Sequence, residues 1–136
     1  MRTCLSLTTR IRFPSQTHRN LGMLMENLLR AIRAFNQERD WDQFHSPKNL
    51  AMALSVEASE IVEQFQWLTP EQSESLMPET WAKVRDEIGD VMIYLLNLAD
   101  RLGIDPIEAA REKLEQNYKK YPADKVKGKA LKYSEY

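Results

Sequence analysis

Apolar residues recur at spacings of three and four along most of the chain, which is the period of one face of an α-helix. The pattern predicts four amphipathic helices, over about residues 21–40, 47–67, 78–102 and 106–121, and it predicts no strand. Short connections between amphipathic helices favour antiparallel neighbours. We therefore expect an all-α fold, an antiparallel four-helix bundle.

The ends of the predicted helices carry residues that are typical of helix termini. Ser46 is suited to the N-cap of the second helix, and Pro47 to its first position, where the missing N–H costs nothing. The four residues from Asp105 resemble a capping box with proline at the first helical position. Gly103 follows the last periodic residue of the third helix and suits a left-handed cap. Residues 69–77 are polar and predict a loop with at most one turn of helix.

The formal net charge of −1 conceals three segments of different sign. Residues 1–22 carry four arginines and no acid, residues 23–118 carry 9 basic and 18 acidic side chains, and residues 119–136 carry six lysines and two acids. An acidic body repels the phosphate backbone, which argues against general DNA or RNA binding. Acidic clusters attract cations, so metal binding is the hypothesis to follow.

The sequence also indicates a cellular compartment and argues against a membrane-spanning segment. Cys4 is the single cysteine, so no intrachain disulfide can form, and a cytoplasmic location in a reducing compartment is expected. The longest apolar run, from Val91 to Leu96, is far too short to span a membrane. A chain of this length buries a modest fraction of its surface, which favours added stability from oligomerisation.

Three segments are expected along the chain. Residues 23–121 would form the helical domain, and residues 122–136 a Lys-rich tail. We expect residues 1–22 to be a disordered extension, or the result of a start site placed upstream of Met23 or Met25. An organellar targeting segment is the alternative, because arginine, serine and threonine without acids are typical of such segments.

One position in the apolar stripe of the second helix holds an acid. Glu57 lies between Leu54 and Ile61 in that stripe, where an aliphatic residue is expected. An ionised carboxylate buried without a partner would cost several kcal/mol, so a proton or a cation is expected beside it. Glu60 follows about one turn later and faces almost the same way.

The third helix repeats this arrangement. Glu87 and Asp90 are three residues apart, on a face that borders the apolar stripe containing Val91. The two pairs form the pattern E-x-x-E, 26 residues, E-x-x-D. Two such helices packed side by side would bring four carboxylates together, and their repulsion favours a bound divalent cation. A single E-x-x-E motif is more often a solvated helix face, so the argument depends on the repetition.

The ligand chemistry of the two acidic pairs indicates which metal they would bind. All-oxygen ligation favours Mg²⁺, with Mn²⁺ as an alternative, over zinc or copper. Helical di-iron sites use Glu-x-x-His pairs, whereas here the second positions are Glu60 and Asp90. The two histidines of the sequence, His18 and His45, lie outside both pairs, so an iron site is not expected.

Several longer motifs surround the acidic pairs, in order and at regular spacings. They are residues 35–45 (F-N-Q-E-R-D-W-D-Q-F-H), 57–67 (E-A-S-E-I-V-E-Q-F-Q-W), 86–95 (D-E-I-G-D-V-M-I-Y-L) and 117–122 (N-Y-K-K-Y-P). Together they resemble the MazG-like superfamily of all-α nucleotide pyrophosphohydrolases, and most of all its dCTP pyrophosphatase branch. The resemblance extends from Leu28 to about Tyr121. One mild departure is that Ala58 and Ser59 stand where the family has Gly-rich positions.

The resemblance implies a set of site residues and an assembly. The Mg²⁺ ligands that it implies are Glu57, Glu60, Glu87 and Asp90. The side chains that would line the nucleotide pocket are Trp41, His45, Trp67 and Tyr94. The residues that would contact the phosphates are Asn117, Lys120 and Lys125. It also implies homodimers or paired dimers, with pockets built partly across subunits.

The residue types agree with these roles. Tryptophan and tyrosine offer flat faces on which a base can stack, an interaction worth roughly 1–3 kcal/mol per base. Core packing is the alternative for Trp41 and Trp67, and His45 would either hydrogen-bond a base or cap the second helix. Lysines near the C-terminus would neutralise phosphate, whereas those beyond residue 126 are expected to belong to a solvated tail.

The predicted function is Mg²⁺-dependent cleavage of a nucleoside triphosphate to the monophosphate and pyrophosphate. The resemblance favours dCTP or a related deoxynucleotide as substrate, and removal of surplus or damaged nucleotides as the role. A water would attack the α-phosphorus, with Glu60 or Glu63 as general base. The alternatives are a non-catalytic helical interaction module, with exposed glutamates, and a hydrolase of the same superfamily for dUTP or phosphoribosyl-ATP.

Overall fold

The protein is helical over the residues that the structure describes. The computed structural model describes the backbone of residues 15–130 and the side chains of residues 22–130. Within that range the chain forms no strand, which confirms the all-α prediction. The helices are α1 (Ser15–Glu38), α2 (Pro47–Phe65), α3 (Pro70–Ser73), α4 (Pro78–Leu102), α5 (Pro106–Lys120) and α6 (Ala123–Val126).

The predicted N-caps at Ser46 and Asp105 and the left-handed cap at Gly103 are present, but for the capping box predicted at Asp105 only the Asp105 side-chain bonds are seen. The Ser46 hydroxyl accepts a hydrogen bond from the backbone N–H of Asn49 at 3.2 Å and caps α2. The Asp105 carboxylate accepts hydrogen bonds from the backbone N–H groups two and three residues later, at 2.9 and 3.0 Å, and caps α5. Gly103 ends α4 with a φ of 65°, a left-handed conformation that glycine adopts without steric cost. The expected boundaries are therefore confirmed at these three ends.

Two segments contain more helix than the periodicity predicted. α1 begins at Ser15 rather than at residue 21, since no proline or glycine interrupts residues 15–20 although the apolar stripe starts later. The short helix α6 lies within the predicted tail. The expectations for residues 1–14 and 131–136 fall outside the described residues.

The connection between α2 and α4 contains the predicted single turn of helix, α3. The Thr69 backbone N–H donates to the Gln72 side-chain oxygen at 2.9 Å, and the Gln72 N–H donates to the Thr69 hydroxyl at 3.3 Å. These reciprocal hydrogen bonds form a capping box. Pro70 follows at the first helical position, where it needs no partner for a backbone N–H.

The chain divides into two compact units, Met1–Asp40 and Trp41–Tyr136. The first contains α1, on which Ile32 and Asn36 are buried. The second contains the other helices and all four of the predicted metal ligands. A four-helix bundle therefore stays a prediction.

Packing of α2 against α4 forms the core of the second unit. Leu50 on α2 is buried almost completely, and Leu96 and Ala99 are buried on α4. Burial of these apolar side chains stabilises the pair, at roughly 25 cal/mol for each Å² removed from water. The two helices that pack together are those that carry the E-x-x-E and E-x-x-D motifs.

Many large apolar side chains of α2 and α4 are exposed in the single chain. They include Met52, Val56, Val62, Ile88, Met92 and Ile93. Extensive exposed apolar surface is typical of subunit interfaces, which is consistent with the expected oligomer. Among the described residues, no helix combines the length and apolar character needed to cross a membrane.

Gly89 offers a test of whether a subunit or a ligand packs against α4. A Cβ built at Gly89 meets no atom within 4 Å beyond its own helix backbone. Gly89→Ala is therefore expected to raise the free energy of unfolding by about 0.5–1 kcal/mol in urea denaturation, because alanine favours the helix interior. Gly103→Ala is the control, and should destabilise the protein because its φ of 65° disfavours a Cβ. A loss of stability in Gly89→Ala would instead indicate a subunit or ligand packed against that backbone.

Candidate metal centre and nucleotide pocket

The packing of α2 against α4 brings the two acidic motifs together. Glu57 and Glu60 lie one turn apart on α2, and Glu87 and Asp90 lie one turn apart on α4. One carboxylate oxygen from each of Glu57, Glu87 and Asp90 lies within 4.8 Å of the other two. The first two of these side chains are half-buried and Asp90 is exposed, so the group is accessible to solvent.

Glu60 is not one of these three residues, but its side chain lies close enough to Glu87 for its negative charge to disfavour ionisation of the Glu87 carboxyl. The charge of Glu60 also acts on Glu57. We refer to Glu57, Glu60, Glu87 and Asp90 together as the carboxylate cluster.

Burial and negative charge both disfavour ionisation of Glu57 and Glu87. Burial, followed by the charges of Glu60 and Asp90, raises the pKa of Glu57 above its ordinary value. Burial and the charge of Glu60 raise the pKa of Glu87, and the proximity of the Glu60 side chain and the charges of Glu57 and Asp90 add to this effect. Raised carboxyl pKa values at a shared position indicate repulsion that a cation would relieve.

The donor atoms of the carboxylate cluster fit a hard divalent cation. All of them are carboxylate oxygens, which Mg²⁺ and Mn²⁺ prefer. Oxygens that each lie about 2.0–2.1 Å from Mg²⁺ are separated from one another by about 3–4 Å. For Glu57, Glu87 and Asp90, whose nearest carboxylate oxygens lie within 4.8 Å of one another, this requires only a small inward movement of the side chains.

Trp41 and His45 form an aromatic pair in the turn before α2. Their ring centroids are 6.3 Å apart and their planes meet at 67°, an edge-to-face arrangement. Nδ1 of His45 is buried and has no hydrogen-bond partner within the described part of the chain. The helix-capping alternative for His45 is wrong, because Ser46 occupies the N-cap of α2. A hydrogen bond to a base remains a prediction for His45.

The other residues predicted to be near the base are accessible. Trp67 follows α2 and is 86% exposed, and Trp41 is 43% exposed, so the core alternative is wrong for both. Tyr94 is half-buried on α4, one turn after Asp90. Glu63, one of the two candidate bases, is exposed on α2 one turn after Glu60.

The predicted phosphate contacts lie on α5 and α6. Asn117 is half-buried on α5, whereas Lys120 and Lys125 are exposed, and the Lys120 ammonium lies 5.5 Å from the ring centroid of Tyr121. α5 also places Lys113 one turn before Asn117 on the same helix face.

Comparisons with known proteins identify relatives of the chain. A model of the MazG-like family matches residues 52–136. The human and bovine proteins named dCTP pyrophosphatase 1 are 38% and 37% identical to this chain over 113 residues. That alignment covers 82% of the chain and 66% and 67% of the two relatives, so the chain spans about two thirds of their length.

A solved structure gives the same result at the level of the fold. The crystal structure of a pyrophosphatase from Archaeoglobus fulgidus superposes with a TM-score of 0.69 and 43% sequence identity, and covers 72% of this chain and 92% of that chain. The family match includes both acidic motifs. The chain therefore belongs to the MazG-like family, in the branch of the dCTP pyrophosphatases.

Proposed function

We propose that this chain cleaves dCTP, or a closely related deoxynucleoside triphosphate, to the monophosphate and pyrophosphate with Mg²⁺ as cofactor. Its family and its relatives make it a nucleotide pyrophosphohydrolase. The observation that carries the proposal is the convergence of Glu57, Glu87 and Asp90 within 4.8 Å. The choice of dCTP is supported by the names of the relatives, and the choice of Mg²⁺ by the all-oxygen donor set.

The carboxylate cluster would hold the metal between α2 and α4. A bound Mg²⁺ supplies positive charge that offsets the charge of the triphosphate as the phosphoanhydride bond breaks. Without a cation, four neighbouring acids repel a triphosphate. The cluster therefore makes productive binding of the substrate depend on the metal.

A glutamate beside the cluster is proposed as the general base. Glu63 is exposed one turn after Glu60 and would accept a proton from the water that attacks the α-phosphorus. Glu60, which belongs to the carboxylate cluster itself, is the alternative base. As the new P–O bond forms, the bond from the α-phosphorus to the bridging oxygen breaks, and pyrophosphate leaves with the electron pair. Lys113, Lys120 and Lys125 would neutralise its charge.

The test of the function is a pyrophosphate-release panel of the common dNTPs and NTPs, with dUTP and phosphoribosyl-ATP added. Each nucleotide is assayed with Mg²⁺ and with EDTA. We expect release that depends on Mg²⁺ and is fastest with dCTP. A clear preference for another nucleotide would reassign the substrate within the superfamily, and no release from any nucleotide would favour the non-catalytic interaction module.

Trp67→Ala is expected to raise the KM for dCTP about 5- to 150-fold, which corresponds to the loss of one stacked base contact. Trp67 is 86% exposed, so its removal should have little effect on stability. The control is Trp81→Ala, which removes another exposed tryptophan, on α4, that is not predicted to line the pocket. Steady-state kinetics and melting temperatures are measured for both variants. Equal KM values in the two variants would contradict the stacking role of Trp67.

We also propose that the protein acts as a homodimer or a pair of dimers. The apolar side chains exposed on α2 and α4 support this, because a soluble monomer rarely presents so many. Light scattering coupled to size-exclusion chromatography gives the mass directly. A monomer at assay concentration would contradict the proposal.

A further inference from the structure

A side chain outside the predicted site holds the turn that carries Trp41 and His45. Asn49, in the first turn of α2, donates a hydrogen bond from Nδ2 to the backbone carbonyl of Phe44 at 2.9 Å. Its backbone N–H donates to the Ser46 hydroxyl at 3.2 Å. Asn49 therefore connects the start of α2 to the turn that precedes it.

The peptide unit held by Asn49 is the one that leads into His45. The carbonyl of Phe44 and the N–H of His45 belong to the same planar peptide group. The carbonyl of this group accepts the hydrogen bond from the Asn49 side chain. The N–H of the same group, which belongs to His45, donates to the Asp42 carbonyl at 3.3 Å. A further hydrogen bond, from the Phe44 N–H to the Trp41 carbonyl at 2.9 Å, closes the turn. The orientation of this peptide group thus sets the direction in which the His45 side chain leaves the backbone.

We infer that Asn49 is a positioning residue for the nucleotide pocket, because it fixes the edge-to-face pair of Trp41 and His45. The inference rests on the proposed function for the role of that pair. The position requires a side-chain donor, since the group that it contacts is a carbonyl oxygen. A carboxylate of the same size would place its oxygen against the Phe44 carbonyl oxygen. Both groups are hydrogen-bond acceptors, so the hydrogen bond that connects the turn to α2 would be lost.

The test compares Asn49→Asp with Ser46→Ala. Asn49→Asp removes the donor to Phe44, but an acid in the first turn of α2 favours the helix through the helix dipole, so the variant should fold. Ser46→Ala removes the N-cap hydrogen bond, which should lower the melting temperature, but leaves the Asn49 side chain in place. We expect Asn49→Asp to raise the KM for dCTP about three- to tenfold, the effect of one hydrogen bond, with little change in kcat. Ser46→Ala should retain the wild-type KM.

A second measurement does not depend on catalysis. Trp67→Phe and Trp81→Phe together leave Trp41 as the only tryptophan. In that background, Asn49→Asp should shift Trp41 emission to longer wavelength and increase its quenching by acrylamide, whereas Ser46→Ala should not.

The outcomes separate the inference from the proposed function. An unchanged KM and unchanged Trp41 emission in Asn49→Asp would overturn the inference. Loss of activity in proportion to loss of stability in both variants would also overturn it, because that pattern indicates a purely structural role. A wild-type protein that hydrolyses no nucleotide defeats the proposed function, and the fluorescence result then decides whether Asn49 positions the aromatic pair.

Discussion

Replacing Glu87 by glutamine is expected to reduce Mg²⁺-dependent hydrolysis of dCTP by at least about 100-fold. The substitution keeps the size of the side chain but removes one negative charge from the group in which Glu57, Glu87 and Asp90 lie within 4.8 Å. A neutral amide oxygen attracts a hard cation less strongly than a carboxylate does. Titration of activity with Mg²⁺ separates weaker metal binding, which excess Mg²⁺ partly restores, from a lower maximal rate.

Asp86→Asn is the matched control for Glu87→Gln. It removes the same charge from the adjacent residue of α4, which is exposed and lies outside the carboxylate cluster. Without metal, Glu87→Gln should melt at the same temperature as the wild type or higher, because burial and neighbouring acids raise the pKa of Glu87 and make its charge unfavourable. Full activity in Glu87→Gln, or equal losses in the two variants, would contradict the metal assignment.

Local chemistry explains why most helix boundaries were predictable. The N-caps Ser46 and Asp105 and the left-handed Gly103 each act on backbone groups only a few residues away. Their positions in the sequence therefore determine where α2, α4 and α5 begin or end. The start of α1 at Ser15 was missed because polar helical residues leave no apolar period to detect.

The carboxylate cluster was predictable only in part. Helical spacing places Glu57 beside Glu60 and Glu87 beside Asp90, whatever the rest of the fold. The distances between the two pairs depend on the packing of α2 against α4, which the sequence does not encode in a readable local pattern. Glu57 interrupts the apolar stripe of α2, and its half-buried position agrees with the prediction that it borders the core.

Other features depend on contacts that periodicity cannot show. The hydrogen bond from Asn49 to Phe44 links a helix side chain to a turn carbonyl, and no spacing rule singled it out. The apolar stripe of α1 predicted a buried face, yet Leu24, Leu28 and Phe35 are exposed in the single chain. A hydrophobic period identifies a helix face that is shielded from water. It does not identify the helix or subunit that covers that face.

Without metal, the contribution of Glu57 and Glu87 to the stability of the protein is expected to fall as pH rises from the acidic range to neutrality, and Mg²⁺ should reverse that trend. Burial and neighbouring carboxylates raise the pKa of Glu57 and of Glu87 in the folded chain above the ordinary value of 4.5. Between the ordinary and the raised pKa, the folded state holds more protons than the unfolded state. The free energy of unfolding therefore decreases as pH increases through this window, and the full penalty is present above it.

Mg²⁺ acts in the opposite direction because it binds deprotonated carboxylates, so its affinity increases with pH over the same window. A cation that binds only the folded state stabilises it by about 2.7 kcal/mol when its concentration is 100 times its dissociation constant. The rise in melting temperature caused by Mg²⁺ should therefore be small near the ordinary carboxyl pKa and largest at neutral pH.

Thermal melting across this pH range, with Mg²⁺ or with NaCl of equal ionic strength, measures both effects. The double variant Glu57→Gln, Glu87→Gln should lose the Mg²⁺ response and should show a flatter dependence of melting temperature on pH without metal. All other acids of the chain are retained in that variant, so non-specific binding of Mg²⁺ to exposed acids would shift the two proteins equally. An equal shift would place the cation outside the carboxylate cluster, whereas a shift confined to the wild type assigns it to the acids between α2 and α4.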